Sequence, residues 1–264
     1  VQTSKKLLQA INEPAHVFIR VNTKKSSLET VKQQLLDEGI ETIIATPHHR
    51  NRAFDNYKQE IVPDVTMLNE LFEQEGIPLN VLAGQEVRIY GELLEDYDKG
   101  DIQTLADTRY VLVEFPFGDV PQYAEQLLYD MQVAGFRPII AHPERNRELI
   151  KNHERMYGFI RNGALAQLTA ASLIGEFGKE IEDFSHQLLE ANLVQFIASD
   201  AHNTDTRGFG LRKAYEVIQE QYGVEMYYMF LENSELLIED MNVNRLEPSR
   251  VHKRKSFFDF FRRK

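Results

Sequence analysis

The stretch Val194-Gln-Phe-Ile-Ala-Ser-Asp-Ala-His202 decides how the rest of the chain is read. Its first half, Val194 to Ala198, is a short apolar run rich in β-formers, which predicts a buried strand. Asp200 and His202 follow at once. Residues two apart on an extended backbone point to one side. A carboxylate and an imidazole would then converge at the end of one strand, a natural pair of ligands for a divalent metal. In isolation, Asp-x-His is also the sequence of an ordinary turn with a surface histidine. What separates the two readings is that the arrangement recurs.

Thr42-Ile-Ile-Ala-Thr46 runs into Pro47-His48-His49, and Leu79-Asn-Val-Leu-Ala83 into Gly84-Gln-Glu86. Tyr110-Val-Leu-Val113 ends in Glu114, Arg137-Pro-Ile-Ile-Ala141 in His142, and Ala164-Leu-Ala-Gln-Leu168 in Thr169. Helical patterns lie between these runs. The capping box Ser26-Ser-Leu-Glu29 opens one that reaches Gly39. Others are predicted over Asp64–Glu75, from an Asp119 cap to Ala134, over Glu154–Arg161 and Lys179–Ala191, and about 208–221 and 225–240. Ala15–Val21 is a weaker strand candidate.

Strands alternating with helices predict a parallel α/β fold. Glu86 to Glu114 is 28 residues and Glu114 to His142 is 28 again, while His142 to Asp200 is 58, about two such units. Each unit is one strand and one crossover helix. The chemistry-bearing group always sits at the C-terminal end of its strand, where barrels build active sites. An open doubly wound sheet would gather ligands only near a switch point. The pattern therefore favours a closed barrel.

The formal net charge of −11 argues against a general nucleic-acid partner. The chain has no cysteine, hence no disulfide framework and no thiolate nucleophile. No apolar run reaches membrane-spanning length and no signal-peptide core is present, so a soluble cytoplasmic protein is expected. The first residue is Val, which reads as a processed, cloned or incomplete start. Three regions are expected: an atypical segment 1–23, the barrel 24–241 and a basic, aromatic tail 242–264. The end of that tail, His252 to Lys264, suits either an anionic membrane surface or a disordered terminus.

His48, Glu86, Glu114, His142, Asp200 and His202 bring three imidazoles and three carboxylates to one rim. Neighbouring glutamates repel unless a cation sits between them. The mixed N/O set suits Mn²⁺, Zn²⁺ or Fe²⁺, in a cluster of two or three ions that would serve phosphoester or amide hydrolysis. Arg145 and Arg207 stand near the rim, with Arg88 as a third candidate. Guanidinium groups match phosphate oxygens in pairs, which favours the phosphoester. Surface ion pairs would account for the same arginines. His49 is expected to support the site rather than ligate. His16, His153, His186 and His252 have no ligand-like context.

Thr46-Pro-His-His49, Gly84-Gln-Glu-Val-Arg-Ile-Tyr-Gly91, Val113-Glu-Phe-Pro116, Ala141-His-Pro-Glu-Arg-Asn146 and Ala198-Ser-Asp-Ala-His-Asn203 resemble the PHP (polymerase and histidinol phosphatase) superfamily. Within it they are most similar to the bacterial manganese-dependent protein-tyrosine phosphatases of capsule and exopolysaccharide loci. The resemblance covers about Lys24 to Asp240. It implies a distorted (β/α)₇ barrel, a trinuclear Mn²⁺ site held by His48, Glu86, Glu114, His142, Asp200 and His202, and Arg145 and Arg207 on the phosphoryl group. It also implies a phosphorylated bacterial tyrosine kinase as partner and leaves a homo-oligomer open. One motif departs. The family opens with His-x-His after its first strand, but residues 11–13 are Ile11, Asn12 and Glu13, and no His-x-His occurs in the chain. Two alternatives stay open: a phosphoesterase for a small phosphomonoester, and an inactive family member that acts by binding.

Overall fold

A computed structural model describes residues 17–18, 39–51, 54–202 and 208–251. The expected helix over 26–38, Arg207 and the end of the tail from His252 lie outside them.

The described chain is an α/β fold built wholly on parallel pairing. The strands are β1 (Val17–Phe18), β2 (Thr42–Ala45), β3 (His48–His49), β4 (Asn80–Ala83), β5 (Glu86–Arg88), β6 (Tyr110–Glu114), β7 (Arg137–Ala141), β8 (Leu165–Thr169) and β9 (Phe196–Ala198). They form one sheet in the order β1-β2-β4 and a second in the order β3-β5-β6-β7-β8-β9. The break between the sheets is local. Pro47 cannot donate to a ladder, and β2 and β3 lie either side of it. Gly84 and Gln85 interrupt β4 and β5 at the matching point, and the Glu86 N–H still reaches the Pro47 carbonyl at 3.0 Å.

The helices are α1 (Lys58–Gln74), α2 (Leu93–Asp98), α3 (Ala124–Val133), α4 (Arg147–Lys151), α5 (His153–Arg161), α6 (Ala170–Leu173), α7 (Lys179–Glu190), α8 (Leu211–Tyr222) and α9 (Val224–Ile238). Two of the expected helix starts shift by more than three residues. The first is α1, which begins six residues before Asp64 and carries Pro63 inside. Glu60 accepts the Tyr57 N–H at 3.1 Å, and burial of Ile61 and Phe72 offsets the backbone bond that Pro63 cannot make. The second is α3, which starts at Ala124 rather than after an Asp119 cap. Residues 116–121 are instead drawn to the neighbouring loop: Asn146 donates to the Pro116 and Asp119 carbonyls, and the Val120 N–H goes to Glu148.

Alternation along the strands sorts the core into two layers. Val111 and Val113 join a large apolar cluster that the helices cover. Tyr110 and Leu112 face the other way, into a smaller cluster with Ile44, Leu105, Ile139, Ala141, Leu165, Phe196, Ala198 and Leu237. The same alternation carried to the strand ends brings His48, Glu86, Arg88, Glu114, Gln167 and Thr169 to the rim of this inner face. Residues 242–251 are tied to the body as well: the Asn244 N–H donates to Asn233 at 2.7 Å and the Ser249 N–H to the Ala191 carbonyl at 2.9 Å.

Gly84 lies close against two side chains of the inner face, Ile44 and Leu105. A Cβ there would stand 2.6 Å from the Ile44 Cγ2 and 3.0 Å from the Leu105 Cδ2. Gly84→Ala is therefore expected to cost about 1–3 kcal/mol by overpacking, read as a lower melting temperature with native far-ultraviolet circular dichroism. An unchanged melting temperature would mean that Ile44 moves aside freely.

Candidate metal centre

Strand register builds the centre. His48 on β3 is the direct neighbour of Glu86 on β5, and Arg88 on β5 is the neighbour of Glu114 on β6. In-register side chains on adjacent parallel strands stand one strand spacing apart. The contacts follow: His48 Nδ1 is 3.1 Å from Glu86 Oε1, and Arg88 Nη2 is 3.0 Å from Glu114 Oε2. Glu114 is also the register partner of Ala141, the residue before His142. His142 reaches Glu86 Oε1 with its Nε2 at 3.2 Å.

Both imidazoles approach both carboxylates. His48 Nδ1 is 3.8 Å from Glu114 Oε2, and His142 Nε2 is 3.7 Å from Glu114 Oε1. Among the described residues, His48, Glu86 and Glu114 offer ligand atoms that all lie within 4.8 Å of one another. Donors about 2.0–2.2 Å from a common ion lie about 3.0–3.5 Å apart, so the observed spacing suits a cation. The chemistry agrees, since Glu86 and Glu114 are each only 2% exposed and two buried carboxylates call for positive charge.

The two glutamates feel this differently. Burial works against ionisation of Glu86, but hydrogen bonds from His142 and His48 prevail and hold its carboxyl well below the usual range. Burial and then the charge of Glu86 push the Glu114 carboxyl up. His49, next to the ligand candidate His48, is fully buried and edge-on to Tyr57, with ring centroids 4.9 Å apart. Burial lowers its pKa, which suits the supporting role expected of it.

Asp200 and His202 come together by a route the sequence did not suggest. The strand ends at Ala198, and Asp200 has a left-handed backbone, φ 49°. The extended two-residue rule does not apply there. His202 Nδ1 instead lies 2.8 Å from the Asp200 carbonyl oxygen and 3.6 Å from its Oδ1. The His202 ring is 6.0 Å from that of His48, which brings it to the same rim. The Asp200 carboxylate is engaged by Arg145, Nη2 to Oδ2 2.7 Å. His142 and Arg50 also have left-handed backbones, φ 36° and 57°. Three non-glycine residues in this costly region flank one centre.

Arg88, named from the sequence as a third phosphate candidate, serves Glu114 and the Phe115 carbonyl. Other contributors carried little signal in the sequence. Asn51 donates to Glu114 Oε2 at 3.4 Å. Phe117 and Phe177 flank the Arg145 guanidinium, with centroids at 5.8 and 5.6 Å. Glu144 is buried and accepts from the Thr169 N–H and Ser172 hydroxyl at 3.1 and 2.7 Å, which fixes the turn between His142 and Arg145.

In the metal-free chain the two carboxylates respond oppositely to pH. Ionised Glu86 supports the fold above the ordinary carboxylate range, and that support is lost as pH falls through its lowered value. Protonated Glu114 supports the fold at low pH, and that support is lost as pH rises through its raised value. Glu114→Gln is therefore expected to raise the melting temperature at pH 7 in chelator. It should also remove any stabilisation that an added divalent ion confers on the parent chain, which for a bound ion is about 2.7 kcal/mol at a hundred times the dissociation constant. A lower melting temperature in chelator would mean that Arg88 holds the charged form favourably.

Comparison with known proteins gives a consistent picture. Residues 15–239 match the family model for capsular polysaccharide synthesis, CpsB/CapC. The tyrosine-protein phosphatase YwqE of Bacillus subtilis is 48% identical over 224 residues, 85% of this chain and 88% of that protein. The putative tyrosine-protein phosphatase CapC of Staphylococcus aureus is 33% identical over 246 residues, 92% and 96% of the two chains. A crystal structure from a study of YwqE of B. subtilis and CpsB of Streptococcus pneumoniae, metal-dependent tyrosine phosphatases, superposes with a TM-score of 0.82 at 46% identity, covering 84% of this chain and 90% of that one. The chain belongs to the CpsB/CapC family of capsular polysaccharide synthesis proteins.

Proposed function

We propose that this chain is a metal-dependent protein-tyrosine phosphatase that removes phosphate from a bacterial tyrosine kinase and so regulates capsule or exopolysaccharide synthesis. The buried Glu86–Glu114 pair between His48 and His142 carries the reading. His48, Glu86, Glu114, His142, Asp200 and His202 would hold the divalent ions, with Mn²⁺ preferred and Fe or Zn the other candidates. The relatives named as tyrosine phosphatases support the substrate class. The strand arrangement supports a distorted (β/α)₇ barrel that takes in β1 at Val17–Phe18 as well as the 24–241 expected from the sequence. Counting β2 with β3 and β4 with β5 as interrupted strands leaves seven in sequential order, and β1 lies close to β9.

Bound divalent ions would supply Lewis-acid activation of water and neutralise charge at phosphorus. The protein residues do the rest. Arg145 trades Asp200 for phosphoryl oxygens, held ready by Phe117 and Phe177. Arg207, five residues after His202 in the sequence, would join it on the phosphoryl group. A planar guanidinium with two parallel N–H donors stabilises the equatorial oxygens as phosphorus is displaced in line. A chain without cysteine has no thiolate route to the same product. Among the described residues no helix is long and apolar enough to cross a membrane; a cytoplasmic enzyme acting on a membrane-anchored partner is part of the proposal. Contact of the tail with the membrane belongs to the same proposal.

The absence of a His-x-His from the sequence favours a second reading, a family member that binds the kinase without turnover. Hydrolysis of a phosphotyrosyl peptide separates the two. Turnover that needs Mn²⁺ and stops in chelator is expected, with Arg145→Ala and Arg207→Ala each lowering kcat/KM by roughly 10²–10³. Absent turnover with kinase binding retained would favour the binding protein. Preference for small sugar or alcohol phosphates would make the chain a small-molecule phosphoesterase.

A further inference from the structure

Two large apolar side chains stand exposed at the metal centre, where burial would have been the usual outcome. Phe54 is 55% exposed and Phe117 is 57% exposed. Each is stacked on a different ligand candidate. The Phe54 ring lies 6.3 Å from that of His48 at an interplanar angle of 25°. The Phe117 ring lies 6.4 Å from that of His142 at 17°. Because His48 and His142 both contact the same Glu86 oxygen, at 3.1 and 3.2 Å, the two phenylalanines flank one centre from two sides.

Both are carried on pinned backbone. The Asn51 N–H donates to the Phe54 carbonyl at 3.2 Å, the Arg50 N–H to Asp55 at 3.0 Å, and Asn56 to the His48 carbonyl at 2.7 Å. On the other side the Arg147 N–H donates to the Phe117 carbonyl at 3.0 Å, and Asn146 holds the Pro116 and Asp119 carbonyls. Phe117 also borders a small cleft with His142, Arg145 and Asn146. A ring whose neighbouring described backbone is already hydrogen-bonded loses less order when it meets a ligand.

We propose that Phe54 and Phe117 are the walls that receive the aromatic ring of an aryl phosphate whose phosphoryl group lies at the metal centre and Arg145. This rests on the phosphatase reading and names what sets its preference for aryl over alkyl esters. Offset or edge contacts between aromatic rings contribute about two- to tenfold per pair beyond the area they bury. Alkyl phosphates would meet the same phosphoryl contacts and gain nothing from the rings.

The test is binding of phenylphosphonate and methylphosphonate to the Mn²⁺-loaded full chain by calorimetry, a readout that needs no turnover. The parent chain is expected to prefer the phenyl compound. Phe54→Ala and Phe117→Ala are each expected to cut the phenyl-to-methyl affinity ratio by about two- to tenfold, with Phe54→Leu and Phe117→Leu intermediate and metal content kept. A parent preference that survives both alanine changes would overturn the aromatic walls and leave the phosphatase reading standing. Equal affinity of the parent chain for the two phosphonates would do the same. If neither phosphonate binds, the phosphoryl site itself fails, and this inference with it.

Discussion

Two carboxylates, Glu86 and Glu114, are buried side by side at the C-terminal ends of parallel strands. Their mutual repulsion is the constraint around which the surrounding structure is arranged. Neither can be ionised there without a positive partner. The partners come from both sides: His48 and His142 on Glu86, Arg88 on Glu114. These contacts leave Glu86 favourably ionised and Glu114 reluctant. A divalent cation would relieve the second without disturbing the first. Such a centre would give up stability in the metal-free chain for affinity toward an ion, a common exchange at functional sites.

Parallel pairing makes the arrangement possible. Every strand in the described ladders runs the same way, so every strand end opens on one side. Alternation then sends one residue in two to the inner face. The apolar ones fill it, from Tyr110 and Leu112 to Phe196 and Ala198, and the polar ones close it at the rim. Left-handed backbone at His142 and Asp200 turns the chain sharply as it leaves two of these strands; His142 then reaches Glu86 and Asp200 meets Arg145. The Arg145–Asp200 pair links those two turns. It joins the phosphoryl-binding candidate to a ligand candidate before either has met its own partner.

The strand ends were legible in the sequence because apolar runs there stop abruptly at a charge or an imidazole. Tyr110-Val-Leu-Val113 before Glu114 and Pro138-Ile-Ile-Ala141 before His142 are the clearest. The Asp200–His202 geometry was not legible, since a left-handed turn after a strand leaves no periodicity to read. Nor was the start of α3, because Asp119 is a good cap by composition and only the tertiary demand of Asn146 draws its segment elsewhere. The first turns of α1 were not legible either: Pro63 lies inside the helix, and packing of Ile61 and Phe72 overrides the local rule against it. The interruption at Gly84 reads as a strand end in sequence, yet pairing resumes at Glu86 after two residues. Phe54 and Phe117 sit in loops, where an exposed aromatic carries no pattern of its own.

The most direct measurement is the metal content of the purified chain, by mass spectrometry of the intact protein and elemental analysis, with and without Glu86→Gln. At least one tightly held divalent ion per chain is expected in the parent, lost or strongly reduced in the variant. A parent chain that carries no ion, takes none up from Mn²⁺, Fe²⁺ or Zn²⁺ and melts at the same temperature with and without them would contradict the metal centre.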